Sequence, residues 1–153
     1  MAMREAVKTQ DGLEVFNLKT PYVSAGQITT LLAETEGLWI SIKVYADGGE
    51  NALHAHAVED HAFVVLEGEA TFYGKSGEPT VLTQYEGMML AKGTLYRFHN
   101  SGEGNLVMLR AGGGKKIGHS RMGPDGKELP GNSVENKTGG MQGVPIPGMF
   151  FGV

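Results

Sequence analysis

The sequence predicts an all-β protein built around a small antiparallel barrel. Strand-like runs recur from about residue 27 to residue 111, and glycine-containing turns separate them. No segment shows a sustained helical period. Many short strands joined by regularly spaced turns are typical of sandwiches and barrels. Of the 153 residues, 41% are hydrophobic, which is enough for one domain with a real core.

The first strands are predicted between residues 27 and 45. Residues 27–34 (QITTLLAE) are favoured as a strand by Thr29 and Thr30 and by their short length. Residues 37–45 (GLWISIKVY) alternate with period two, which predicts a strand with two different faces. Later strands are predicted at residues 62–66, 70–73, 80–84, 88–91, 95–99 and 105–110.

The chain divides into three parts by composition. An N-terminal segment covers residues 1–26, the predicted barrel covers 27–111, and an arm rich in glycine and proline covers 112–153. Such an arm cannot form regular structure for long. It nevertheless ends in the apolar pair Phe150 and Phe151, which would be costly to leave in water. We therefore expect this end to pack on the barrel or on a partner subunit.

Charge and composition exclude several classes of function. The net charge is −4 with no basic block, so neither nucleic acid nor a membrane surface is an expected partner. The longest apolar runs are far below the ~20 residues of a spanning helix. The N-terminal residues lack an apolar signal core, so a cytoplasmic location is expected. With no cysteine in the chain, disulfides and thiolate-bound metals are excluded.

The most informative motif is His54-Ala55-His56, followed by His61. Two histidines two apart on a strand point to the same face, with their roots roughly 7 Å apart. Both imidazoles can then converge on one metal ion, and imidazole suits zinc, copper, iron and nickel. His61 follows after a short polar link, where the chain can turn into a neighbouring strand. The spacing predicts one transition metal inside the barrel.

These residues also carry a family resemblance. Gly48, the His54-Ala55-His56 pair and residues 64–68 (VVLEG) are similar to the first signature motif of the cupins. In that motif two histidines and a glutamate bind a metal. Counting back from the glycine of residues 64–68, the glutamate position is occupied by His61, and Glu59 is out of register.

The second cupin motif resembles residues 93–100 (GTLYRFHN). Its usual histidine ligand is replaced by Tyr96, and His99 has the opposite strand parity, so it should face away from the pocket. The resemblance implies a small double-stranded β-helix barrel of the cupin or jelly-roll type. It does not transfer the usual site of three histidines and one glutamate.

We therefore predict a metal site made of His54, His56 and His61. One divalent transition metal per chain is expected, with iron favoured for catalysis and zinc, nickel or manganese as alternatives. Three neutral ligands leave the metal charge uncompensated, which favours an anionic or chelating oxygen ligand. Asp60 could instead supply a carboxylate, and His119 could approach the site if the arm folds over the barrel mouth.

Tyr96 is predicted as the catalytic residue, acting as a hydrogen-bond donor beside the metal; direct ligation and simple packing are the alternatives. The substrate pocket is predicted to include Phe63 and Phe98, which share the strand faces of His61 and Tyr96, and Met88 is predicted to add to its apolar lining. Arg97 and Arg110 flank this region and are expected to be surface or interface charges.

Two classes of function follow. The first is a mononuclear metal-dependent dioxygenase-like enzyme, or a related lyase or isomerase, that acts on a small oxygenated substrate. The second is a non-catalytic binding or sensing barrel with a structural or vestigial metal site. A sugar-processing barrel without a metal is a weaker alternative, because it needs a histidine acting with a tyrosine or an acidic residue rather than three histidines that converge on one point. Exposed strand edges and the long arm predict a homodimer.

Overall fold

A computed structural model describes residues 7–8, 10–114, 121–129 and 142–152. These residues form strands and turns without a helix, so the predicted all-β class is confirmed. No helix able to span a membrane is found in the part of the chain that is described. The strands are β1 (Val7–Lys8), β2 (Glu14–Val15), β3 (Thr20–Ala25), β4 (Gln27–Glu34), β5 (Leu38–Tyr45), β6 (Gly49–His56), β7 (Asp60–Glu67), β8 (Ala70–Tyr73), β9 (Pro79–Leu82), β10 (Gly87–Leu90), β11 (Tyr96–Asn100), β12 (Leu106–Gly113), β13 (Arg121–Met122) and β14 (Val144–Phe151).

Two five-stranded antiparallel sheets form the barrel. One has the strand order β10-β7-β12-β5-β4 and the other β13-β6-β11-β8-β9. The consecutive strands β5, β6 and β7 alternate between the sheets, as expected of a jelly-roll arrangement. Because side chains alternate along each strand, every second residue of β12 faces the interior: Leu106, Met108 and Arg110.

The apolar core fills one end of the barrel interior. It contains an aromatic group in which Phe98 lies 5.0 Å from Phe72 and 5.6 Å from Phe63, measured between ring centroids. Leu106 and Met108 close this cluster and are fully buried. Packing of this kind is the main source of stability in a barrel of this size.

A second apolar layer covers the outside of the first sheet. The outward faces of β5 and β12 pack against β3 through Val23, Ile42 and Val107. Strand β14 pairs antiparallel with β3, and Phe151 joins this layer. The amide of Asn105 fixes β3 by exchanging hydrogen bonds of 2.8 and 2.9 Å with the backbone of Val23. The end of the arm therefore packs on the barrel of its own chain.

Another part of the arm returns to the opposite sheet. Strand β13 pairs with β6, with Arg121 opposite His56 and Met122 opposite Ala55. Residues 121–129 close into a small hairpin, in which the N–H of Leu129 donates to the carbonyl of Arg121 at 2.8 Å. Two separate pieces of the arm thus contact the barrel, one on each sheet.

Candidate functional site

The barrel brings the three predicted histidines together at the end of the interior opposite the apolar core. His54 and His56 come from β6 in one sheet, and His61 comes from β7 in the other. The rings of His56 and His61 lie 3.9 Å apart, and those of His54 and His56 lie 5.3 Å apart. Tyr96 on β11 pairs directly with His54, and its hydroxyl lies 3.1 Å from Nε2 of His56.

Arg110 lies at the centre of this cluster, so its prediction as a surface or interface charge is wrong. It is only 9% exposed. Its Nη2 lies 2.9 Å from Nδ1 of His61, 3.1 Å from Nε2 of His56 and 3.3 Å from the Tyr96 hydroxyl. Strand parity explains the burial, because Arg110 shares the inward face of β12 with Met108.

Glu59 is a second residue that the sequence argument missed. Its carboxylate is 1% exposed, lies 3.1 Å from Nε2 of His61 and accepts the indole N–H of Trp39 at 2.9 Å. The turn between β6 and β7 contains Glu59, so strand register does not govern its direction. Gly112 leaves space for the Trp39 indole that contacts Glu59, because a Cβ at position 112 would collide with that indole.

A second carboxylate, Glu50, lies beside the cationic groups Lys43 and Arg110 and neutralises part of their charge. It lies 3.3 Å from Nζ of Lys43, 3.3 Å from Nε2 of His54 and 3.9 Å from Nη1 of Arg110. The His54 pair is too poorly aligned for a hydrogen bond, and both facing atoms are buried without a hydrogen-bond partner. Burial alone would raise the pKa of Glu50, but Lys43, His54 and Arg110 together hold it well below its ordinary value.

The hydrogen-bond network assigns the protonation states of the histidines. Because a guanidinium only donates, Nε2 of His56 and Nδ1 of His61 must be lone-pair acceptors. Burial, with His61 and Arg110 nearby, lowers the pKa of His56 to about 2. Burial and Arg110 likewise lower the pKa of His61 to about 4. Burial raises the pKa of Tyr96, so its hydroxyl remains a donor.

This arrangement does not fit a metal ion bound by the histidines. An imidazole binds zinc at about 2.0–2.1 Å, so an ion held by both His56 and His61 would need the space that Arg110 Nη2 occupies. The third histidine, His54, does not complete such a site, because its Nε2 faces Glu50. Across the described residues, no three histidine or acidic side chains are arranged to hold a metal. The guanidinium supplies the positive charge at this position.

The other predicted site residues lie at different distances from the cluster. Phe63 and Phe98 are fully buried in the aromatic core, and the Arg110 guanidinium lies 5.1 Å from the Phe63 ring. Met88 packs on the far side of that core, where it and Tyr96 line a cavity of about 180 Å³. Asp60 is exposed and accepts the backbone N–H of Lys92 at 2.8 Å, away from the cluster. His119 lies outside the described residues.

A cavity of about 320 Å³ leads from solvent to Arg110. It is lined by six residues of β4, β5 and β12: Thr29, Leu31, Glu34, Trp39, Ser41 and Arg110. Nε of Arg110 is buried and has no hydrogen-bond partner. The lining combines an aromatic surface, hydroxyl groups, a carboxylate and a guanidinium, which together suit a small oxygen-rich molecule.

Comparison with known proteins supports the predicted cupin fold. The family model described as "Cupin domain" matches residues 41–111. A curated relative, "Beta-D-galactosidase Rv1717" of Mycobacterium tuberculosis, is 36% identical over 75 residues, which is 49% of this chain and 63% of the relative. The chain thus spans less than two thirds of the length of the curated relative that it matches.

Solved structures agree on the double-stranded β-helix. A double-stranded β-helix protein from Klebsiella pneumoniae is 22% identical over 57% of this chain and 76% of its own, with a TM-score of 0.52. The Cnp3 cupin domain of Schizosaccharomyces pombe is 12% identical over 57% and 64%, with a TM-score of 0.53. An oxalate oxidase is 19% identical over 61% and 54%, with a TM-score of 0.51.

Proposed function

Because residues 41–111 match the family model described as "Cupin domain", we propose that the barrel is an acid–base enzyme site in which the Arg110 guanidinium takes the place of a metal ion. The observation that carries this proposal is the contact of one nitrogen, Arg110 Nη2, with His56, His61 and Tyr96. The Arg110 guanidinium is a fixed and permanently charged hydrogen-bond donor in a buried site. Such a group stabilises negative charge that develops on a substrate oxygen.

The neighbouring groups supply the proton-transfer chemistry. The Nε2–H of His61 donates a hydrogen bond to the Glu59 carboxylate, which leaves the Nδ1 lone pair of His61 directed at the cluster, as a general base requires. The Tyr96 hydroxyl is the matching donor. Arg110 Nη2 has two hydrogens for three acceptors, so a substrate oxygen can replace one imidazole contact and leave that imidazole free to take a proton.

The cavity favours a sugar-like substrate. Its volume of about 320 Å³ suits a small ligand, and Trp39 offers an aromatic surface beside the polar groups of Glu34 and Ser41. The curated relative is called a β-D-galactosidase, which makes galactose derivatives the first compounds to test. Proton transfer to or from an oxygen atom of such a molecule, including the glycosidic oxygen of a galactoside, is the reaction that this site suits best.

The first experiment measures metal content by elemental analysis after equilibration with iron, nickel, manganese or zinc salts. We expect the wild type to hold far less than one metal per chain. Arg110→Ala should bind nickel or zinc more tightly, because it frees the lone pairs of His56 and His61. About one metal per wild-type chain, lost in His61→Ala, would contradict the proposal.

The second experiment measures turnover of 4-nitrophenyl β-D-galactoside in the presence of EDTA. Activity that survives EDTA and falls about 100-fold or more in Tyr96→Phe is expected, since general acid–base groups typically contribute 10²–10⁴-fold. Arg97→Gln is the matched control, because Arg97 stacks 4.0 Å over Tyr73 on the outer face of the barrel. Binding of galactose without turnover would favour the non-catalytic binding or sensing function.

A metal-dependent dioxygenase-like enzyme remains the second candidate. The observation that favours it is that two buried atoms, Nε2 of His54 and Oε2 of Glu50, face each other at 3.3 Å without a hydrogen-bond partner, beside the other two histidines. It requires the Arg110 side chain to leave the cluster. The metal analysis separates the two candidates, and oxygen uptake with chelating substrates is the assay for the second.

A further inference from the structure

The barrel is open on one side, between strands β9 and β10. Each of them is the end strand of its sheet, and in the described part of the chain they pair with β8 and β7 but not with each other. A cavity of about 180 Å³, the side cavity, lies there between Thr80 of β9 and Met88 of β10. It shares no lining residue with the cavity that leads to Arg110, which is lined from β4 at the other end of the first sheet.

Strand register directs side chains from both end strands into the side cavity. Residues directly opposite each other in an antiparallel pair project from the same face of the sheet. Met88 is paired with Phe63, whose ring lies inside the barrel, so Met88 also faces inward. Thr80 is paired with buried Phe72 and faces inward in the same way, yet Thr80 is exposed. An inward-facing residue that is exposed marks the place where the interior opens to solvent.

The inner wall of the side cavity is aromatic and apolar. The rings of Phe72 and Tyr96 contribute to it, together with the side chains of Met88 and Leu90. These residues belong to the closely packed apolar core, in which the rings of Phe72 and Phe98 are stacked at 5.0 Å. Protein interiors leave few spaces larger than a water molecule. A hollow of about 180 Å³ against this wall therefore departs from the packing of the rest of the core.

Small residues keep the side cavity open. Thr80 and Thr94 line it and are exposed, so their hydroxyl groups are accessible. Gly74 also lines it, although the backbone does not require a glycine there, because its φ lies outside the left-handed region. A Cβ at position 74 would make only an ordinary contact, 3.8 Å from the carbonyl oxygen of Leu95. The missing side chain thus leaves space for the cavity without being needed by the fold.

We propose that the side cavity binds a small aromatic alcohol. The ring of the ligand packs against Phe72 and Tyr96, and its hydroxyl group lies at the rim beside Thr80 and Thr94. The size agrees, because an apolar cavity of about 150 Å³ can bind benzene. Tyr96 connects this site to the polar cluster, since its ring lines the cavity and its hydroxyl lies 3.1 Å from His56. The site is additional to the proposed acid–base function and does not depend on it.

The test is an NMR titration of the full chain with phenol, observed at isotopically labelled methionine methyl groups. Met88 lines the side cavity, whereas the next residue, Met89, is 74% exposed on the outer face. We expect the Met88 signal to shift and saturate with a midpoint of about 1 mM, because so small a ligand gains little binding energy in total. The Met89 signal should not move. Met88→Leu and Met89→Leu assign the two signals.

Variants that fill the side cavity complete the test. Thr80→Phe places a ring in the opening and should weaken phenol binding about tenfold or more. Val81→Phe is the matched control, because Val81 is the next residue of β9, is 49% exposed and faces outward. Gly74→Val is a second way to narrow the cavity, and urea denaturation shows whether each variant is folded. No saturable shift of Met88, equal shifts of Met88 and Met89, or wild-type affinity in the folded filled variants overturns this inference.

Discussion

The two ends of the barrel interior are built from the same strands but have opposite chemistry. On β7, Phe63 in the aromatic core is two residues from His61; on β11, Phe98 is two residues from Tyr96. Two residues along a strand is about 7 Å, so the interior changes from apolar to charged within one side-chain layer. The apolar end gains stability from burial, whereas the polar end depends on every charge having a partner.

Loss of an aromatic ring from the apolar end should have the largest effect. Phe98 is 1% exposed and contacts Tyr45, Phe63 and Phe72 at ring centroid distances of 5.0 to 5.6 Å. Phe98→Ala should lower the free energy of unfolding by about 3–5 kcal/mol, because it leaves a cavity that rigid neighbours cannot fill. Urea denaturation measures the change. Phe98→Leu should cost much less, and equal costs would argue against a tightly packed core.

Removal of a charge from the polar end tests the other half of the comparison. Glu50→Gln leaves Lys43 and Arg110 buried with too little negative charge, and we expect a loss of about 3 kcal/mol in the free energy of unfolding. Glu103→Gln is the control, because Glu103 is exposed on a turn. If the two variants were equally stable in urea, the polar cluster would not be a coupled network.

Acid should destabilise the polar end before it affects the apolar end. The pKa of His56 is lowered to about 2 and that of His61 to about 4, so the folded protein resists protonation while the unfolded chain takes up protons below about pH 6.5. Stability is therefore complete above pH 6.5 and decreases as the pH falls from there. At pH 5 the loss should be on the order of 1–2 kcal/mol for each histidine.

Urea titrations at pH 7 and pH 5 measure this loss. His61→Gln removes one of the two titrating groups, so the difference between the two pH values should be smaller in that variant. Equal stability of the wild type at both pH values would contradict neutral, buried histidines.

Alternation along β5, together with the short strand-like runs and glycine-containing turns between residues 27 and 111, was enough to predict the barrel. The strand spacing of His54 and His56, with His61 after a short link, was enough to predict that the three histidines come together. Arg110 was missed although the signal was present: it has the parity of Leu106 and Met108, but charge was taken as evidence of exposure.

Other parts of the site could not be derived from sequence. Glu59 lies in a turn, where alternation has no meaning, and its direction depends on the contact with Trp39. The pairing of Arg121 with His56 joins residues 65 positions apart through a glycine-rich arm. No local pattern encodes such a register, because it is set by the edge of a sheet that exists only after folding.

Substitution of the two phenylalanines at the end of the arm should change the free energy of unfolding least. The two neighbouring positions should nevertheless differ clearly from each other. Phe151 packs into the layer over β5 and β12, whereas Phe150 is 47% exposed, with Nζ of Lys19 4.0 Å above its ring. Phe151→Ala should lower the free energy of unfolding by about 1–2 kcal/mol, and Phe150→Ala by less than about 0.5 kcal/mol in a monomer.

This pair of variants also tests the expected homodimer. If a partner subunit covers β14, Phe150 is buried in the complex, and Phe150→Ala should weaken association measured by sedimentation at several protein concentrations. Phe151→Ala would then change stability at every concentration, because its contacts lie within one chain. A dimer unaffected by Phe150→Ala would place the interface elsewhere, and β4, with Leu31 53% exposed on the end strand of its sheet, would be the next surface to test.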